Sequence, residues 1–213
     1  MASMNKNLPR RGVLVLGVAL AGLSVTGLPA LAANVAETFV ADNVQKGLAI
    51  LNNKSLPTAA RRSQFEAFLL SLTDMKRIAG FTLGQYRRGA SPETIAAYEA
   101  AFQNYATAVY QSYFAKYAGQ TLKVTGSQSR SADDFIVQTA LIDPNDKSGQ
   151  PPLEVDFRVR TDTGKPIVTD FSVLGIWLAL EERDQFTSFL GQNGGNINTL
   201  ISHLNDLAKQ YRQ

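Results

Sequence analysis

No element of this sequence limits its fold as tightly as the run that opens at Ser91-Pro92-Glu93 and continues without a helix breaker to Tyr117, with a stop at Gly119. Ser91 offers a side-chain oxygen to the first free amides. Pro92 has the φ angle and the missing N–H that suit a first helical turn, and Glu93 sits against the positive end of the dipole. Gly119 accepts the left-handed conformation that closes the far end. The pattern predicts a helix of about 26 residues, or ~39 Å. A small domain has to be built around a helix of that length.

At 100° per residue, Ile95, Tyr98, Phe102, Tyr105, Val109 and Tyr113 fall on one face, and Tyr110, Phe114 and Tyr117 widen it to an arc of ~180°. One packed neighbour covers less than that, so this helix needs cover from two sides. Five of the seven tyrosines lie here, each pairing an apolar ring with a hydroxyl that needs a partner or water. Two readings follow: a central core helix whose hydroxyls reach the surface, or one wall of an amphipathic cavity.

The first 32 residues read as a cleaved signal peptide. Lys6, Arg10 and Arg11 form a basic start, residues 12–25 an apolar stretch too short for a membrane span, and Ala30-Leu31-Ala32 a small-x-small cleavage site. Arg10-Arg11 also admits a twin-arginine reading, which the flanking residues fit poorly. Either export route leads to the periplasm, and residues 33–213 form the mature domain. The leader holds three of the 21 basic residues and none of the 18 acidic ones, which leaves 18 of each. The mature chain is therefore near neutral, without the basic stripe of a nucleic-acid-binding surface. With no cysteine, disulfides, thiolate chemistry and a lipoprotein anchor are all excluded.

The remaining segments predict an α+β domain. Helical spacing groups Phe39, Val40, Val44, Leu48 and Leu51 in residues 35–52, then Phe65, Phe68, Leu69 and Leu72 after a break at Leu56-Pro57, with Thr58 as cap. Asp74 is suited to cap a short third helix through Ile78. After Gly119 the period changes from 3.6 to 2. Leu122 and Val124 begin a first strand that gives way to a turn-rich stretch at 126–134; residues 135–142, 153–159 and 167–173 supply three more. Short turn-rich links favour a four-stranded antiparallel meander with helices on one face. Gly175 then leads into a helix over 176–190, and Ile197, Leu200, Ile201, Leu204 and Leu207 mark the last one.

Little catalytic chemistry is available. Histidine occurs once, as His203, so neither a metal cluster nor a serine nucleophile with its base can be assembled, and no Gly-x-Ser-x-Gly elbow or glycine-rich phosphate loop is present. The acidic pairs Asp133-Asp134 and Glu181-Glu182 fall in a turn and on a helix face, where solvated charge is expected. By elimination the sequence favours binding over catalysis, with no cofactor and no metal.

Residues 81–88 (Phe-Thr-Leu-Gly-Gln-Tyr-Arg-Arg), then Ala90-Ser91-Pro92-Glu93, Phe102 and Tyr113, residues 170–178 (Asp-Phe-Ser-Val-Leu-Gly-Ile-Trp-Leu) and Arg183-Asp184-Gln185-Phe186 resemble the Mla-pathway periplasmic phospholipid carriers, the toluene-tolerance family of ABC-transporter auxiliary proteins. The chain departs from that pattern at Lys165-Pro166-Ile167, where many members carry a Trp-Lys pair, and at Trp177, where many carry a small polar residue. The resemblance implies helices and a sheet around a deep apolar pocket that takes acyl chains and leaves the headgroup outside. It also implies a shuttle between an outer-membrane lipoprotein complex and an inner-membrane ABC transporter with a substrate-binding ring. Related branches are linked to hopanoid synthesis, so a hopanoid-type or other small apolar solute is the alternative cargo. On this basis the expected lining is Phe102, Tyr105 and Val109 from the long helix, Phe135, Val155, Phe157, Phe171 and Val173 from the sheet, and Ile176 and Trp177 at the exit. Arg87 and Arg88 are placed to meet a headgroup or a partner protein.

Overall fold

In the computed structural model Ser91 caps the long helix as its sequence requires. Its Oγ accepts the Thr94 amide at 3.2 Å, and its carbonyl accepts the amide of Ile95. The structure describes residues 28–114 and 117–212, so residues 1–27 of the expected signal peptide lie outside the described residues. The helices are α1 Leu28–Leu51, α2 Thr58–Ser71, α3 Met75–Thr82, α4 Pro92–Phe114, α5 Leu178–Gln192 and α6 Ile197–Tyr211, with a 3₁₀ turn at Gly84–Arg87. The strands are β1 Thr121–Ser131, β2 Asp134–Ile142, β3 Leu153–Arg160, β4 Ile167–Val173 and β5 Ile176–Trp177. They form one antiparallel sheet in the order β1-β2-β3-β4-β5.

The described part of α4 packs on α6, α3 and α2, so its apolar arc meets neighbours from more than one side. Tyr98 and Phe102 are fully buried there, and Phe102 meets the edge of Phe186 at 6.4 Å. Such an edge-to-face pair adds to the area term. The Tyr98 hydroxyl is shared with Thr82 Oγ1 at 2.7 Å, and burial pushes its pKa upward. Leu83 between α3 and the 3₁₀ turn, Leu190 from α5, and Leu200 and Leu204 from α6 complete this helical core. Asp74 caps α3 by accepting the Arg77 amide, as expected.

A second core lies under α1. Ala36 and Val40 pack on Phe135, Val137 and Val159, which share one face of the sheet. The two units are stitched together at the free edge of β4. The Val168 amide donates to the Leu72 carbonyl at 2.8 Å, and Thr73 forms a parallel bridge to Val168. Beside this stitch Arg77 binds Asp162 through two bonds of 2.9 Å, Arg160 reaches Asp162 at 2.8 Å, and Arg158 holds Asp134 at 3.0 and 2.7 Å.

Several expectations change. The sheet has a fifth strand of two residues, because Leu174 (φ 52°) and Gly175 (φ 78°) form a tight turn that folds Ile176 and Trp177 back onto β4. Two successive positive φ angles match the twist that hairpins prefer. Helix α5 therefore starts at Leu178, two residues later than its pattern predicted. The stretch at 126–134 is mostly strand: register shifts at Gly126 and near Ser131 absorb its irregularity, and β1 at the sheet edge tolerates serines facing water. α1 starts at Leu28, ahead of the expected residue 35. Pro57, with no side-chain bond, occupies the cap position expected for Thr58. Asp134, expected in a solvated turn, is only 5% exposed at the start of β2. Burial works to raise its pKa, but the bonds to Arg158 and the charges of Arg158, Arg160 and Arg130 prevail and hold it below the ordinary carboxylate value.

Candidate functional site

A band of apolar side chains on the sheet stands, among the described residues, at the margin of the α1 core or outside both cores. Val155 pairs across the sheet with Val173, and Phe157 with Phe171, so all four side chains stand on one face, where directly opposed residues come closest. The two rings stack at 6.4 Å. All four are half-buried. Phe157 touches the margin of the α1 core, while Val155, Phe171 and Val173 join no fully buried cluster among the described residues. Val109 of α4, Leu69 and Leu72 at the end of α2, and Leu178 of α5 are likewise half-buried and outside both cores.

A polar group marks the helical side of this band. Asp170 of β4 lends its carboxylate to the start of α5: Oδ1 accepts the Ala179 amide at 2.9 Å and the Phe171 amide at 2.8 Å. A cap supplied from a neighbouring strand replaces the local one that Trp177 cannot provide. Burial nevertheless raises Asp170 above its usual value. Four residues into the helix, burial and the nearby Asp170 push Glu182 up to about 8. Burial, with the charges of Glu182 and Asp170, pushes the Tyr110 phenol up to about 12. Glu182 keeps part of its surface accessible. Glu182 is thus a carboxyl that solvent partly reaches and that its surroundings strongly desolvate.

A family model described as MlaC protein matches residues 41–206. The chain belongs to the MlaC family. Among solved structures, the phospholipid-binding protein from Ralstonia solanacearum, determined in complex with a phospholipid at 1.53 Å, has the same fold. The TM-score is 0.71 at 20% sequence identity, covering 84% of this chain and 99% of that one.

Within this MlaC-family fold the expected lining residues separate into groups. Val155, Phe157, Phe171 and Val173 come together, with Val109 also left outside both cores. Phe102 and Phe135 do not join them: at 2% and 0% exposure each is packed into a different core. Tyr105 is turned toward Phe186 and Tyr211, with rings 6.2 and 6.1 Å away. Trp177 is half-buried beside Ser172, and Ile176 is 58% exposed on the hairpin. Arg87 and Arg88 are exposed and line a groove with Arg183. His203 stacks on Phe189 at 4.6 Å, an ordinary packing role.

Sequence reasoning missed Glu182 because two adjacent glutamates on a helix look like solvent-facing charge. The signal was present: Glu182 lies four residues from both Leu178 and Phe186, on the apolar stripe rather than opposite it.

Proposed function

We propose that this chain is a periplasmic lipid carrier that holds phospholipid acyl chains in the recess between the two cores and leaves the headgroup outside. In this reading residues 1–32 are a cleaved export signal and residues 33–213 the lipid-binding domain. The protein is a carrier rather than an enzyme, and it moves lipid between an outer-membrane lipoprotein complex and an inner-membrane ABC transporter with a substrate-binding ring.

The observation that carries the reading is the band of half-buried apolar residues that, among the described residues, lies at the edge of one core or outside both. Side chains of this size usually pack completely in a domain of this length, and half-burial on an inward-facing sheet surface suits a site that a ligand completes. The phospholipid held by the Ralstonia protein supports the same conclusion. Energetically, each buried methylene contributes about 0.8 kcal/mol, so two acyl chains bring on the order of 20 kcal/mol that only an apolar recess can match. A carrier has to come close to the bilayer in affinity without greatly exceeding it, which favours a site of modest apolar area. The half-buried Glu182, neutral below about pH 8, adds no charge against the acyl chains at neutral pH.

Organic extraction of protein purified from cells, followed by mass spectrometry, tests this directly. Phospholipid in near-stoichiometric amount is the expected result. Val173→Trp, which fills the space beside Val155, is expected to lower recovered phospholipid by about tenfold while circular dichroism stays unchanged. Recovery of a triterpenoid, or of no lipid from either protein, overturns the phospholipid assignment.

A further inference from the structure

On the outer side of α5, away from Glu182, a groove of about 570 Å³ runs between α3, the 3₁₀ turn and α5. Arg87, Arg88 and Arg183 line it together with Phe81. Its construction is specific. The Arg183 guanidinium lies over the Phe81 ring at 5.0 Å from the centroid, and that ring is 40% exposed. A Cβ on Gly80 would lie 2.9 Å from Arg87 Nη1, and one on Gly84 would lie 3.3 Å from Arg183 Nε. Absent side chains at these two positions let two guanidiniums lie down on the backbone. At the sheet end of the molecule Arg77, Arg158 and Arg160 are each ion-paired. Among the described residues none of the three groove arginines is.

We infer that this groove is a docking site for a carboxylate-rich segment of a partner protein. The charge of the groove stands apart from the lipid reading, which enters only in excluding a headgroup as occupant and in the lipid control. Planar guanidinium forks bind carboxylates through two parallel bonds, and an arginine stacked on an aromatic ring in a concave site is the composition of an interface hot spot. The mature chain as a whole is near neutral, so three cations without an ion-pair partner gathered in one groove form a local field that orients an acidic partner. Two other occupants fit less well. Glu182 and Arg183 point about 100° apart on α5: the first faces Tyr110 and Asp170, the second Phe81. A headgroup whose tails lie beside Glu182 would have to pass more than a quarter-turn around α5 to reach the groove. A flat bilayer meets the rim of a concave groove, whereas acidic side chains on a projecting loop reach its floor.

The test measures binding of a fluorescent peptide of alternating glutamate and glycine to the full chain at low ionic strength, with inorganic phosphate and phosphatidylglycerol vesicles as competing probes. Wild type is expected to bind the peptide. The double variant Arg87→Glu/Arg183→Glu should weaken binding by about tenfold or more, and Arg87→Lys/Arg183→Lys by a few-fold, because a point charge replaces the fork. Co-purified lipid should be unchanged in both. Arg88→Glu, fully on the surface, provides the same comparison if the double variant does not fold. Equal peptide binding by wild type and charge-reversed protein overturns the inference. So does capture by vesicles through these arginines without peptide binding, displacement of the peptide by phosphate at equal concentration, or loss of co-purified lipid in a folded charge-reversed variant.

Discussion

The helical half and the sheet half of this molecule solve the same burial problem in different ways. In the helical half, aromatic rings set 3.6 residues per turn apart interlock from several directions, and Tyr98, Phe102, Leu190, Leu200 and Leu204 have almost no exposed surface. In the sheet half, one helix covers only part of a five-stranded surface: Phe135, Val137 and Val159 lie under α1 with Phe157 at their margin, while Val155, Phe171 and Val173 extend beyond it. A helix packed on helices can close its core completely. A sheet wider than its covering helix leaves a strip uncovered, and here the strip faces the second unit. The half-buried strip follows from that mismatch in width, with no special residue needed to create it.

This contrast is open to test. The largest effect is expected in the closed core: Phe102→Ala should lower the unfolding free energy by ~3–5 kcal/mol, against ~1 kcal/mol or less for Val155→Ala in the strip. Urea denaturation of lipid-free protein checks both, and equal losses would mean that the strip is packed as tightly as the core.

Next comes Glu182, at the boundary of the two halves. Its pKa is about 8 in the folded chain against an ordinary 4.5, so the folded state binds a proton that the unfolded state has released. Stability is therefore lost as pH rises from 4.5 toward about 8. Glu182→Gln should be nearly neutral at about pH 5 and more stable than wild type by on the order of 1–2 kcal/mol at about pH 9, read from thermal melts at both values. A variant that is destabilised equally at both would show that the recess does not desolvate this side chain.

A smaller effect is expected at the hairpin that joins sheet to helix. Leu174 is 67% exposed at φ 52°, a conformation that costs a leucine ~1 kcal/mol and suits asparagine better. Leu174→Asn should raise the unfolding free energy by somewhat less than that, read as a higher midpoint in urea. Least of all, Asp162→Asn should touch only the stitch between the halves. Asp162 is held down to about 2 chiefly by its bonds to Arg77, so its contribution is present above the ordinary carboxylate value and is lost as pH falls through about 2. The variant should lose less stability than wild type on acidification through that window, as followed by circular dichroism.

Much of the architecture could be read in advance because its causes are local. The Ser91 cap, the Asp74 cap and the antiparallel meander each depend on residues within a few positions of one another. β5 escaped notice because its two residues follow a leucine in a left-handed turn, which no propensity favours. The true length of β1 escaped because residues 128–131 of this edge strand are exposed on both faces and carry no alternating pattern. The candidate site was legible in part: the pairs Val155–Val173 and Phe157–Phe171 follow from strand alternation once the register is known. Phe102 and Phe135 were equally apolar, and nothing in their own neighbourhoods said that each would be sealed into a separate core.

The sequence by itself settled which segments are helical or extended and which of their faces are apolar, since capping and periodicity act over a few residues. Tertiary structure alone decided which apolar faces would close on one another and which would stay half-covered. It also decided that Asp134 would find Arg158 while Glu182 would find no cation among the described residues. Those outcomes depend on the distance between elements far apart in the chain, and both solvation and Coulomb energy follow that distance rather than residue type.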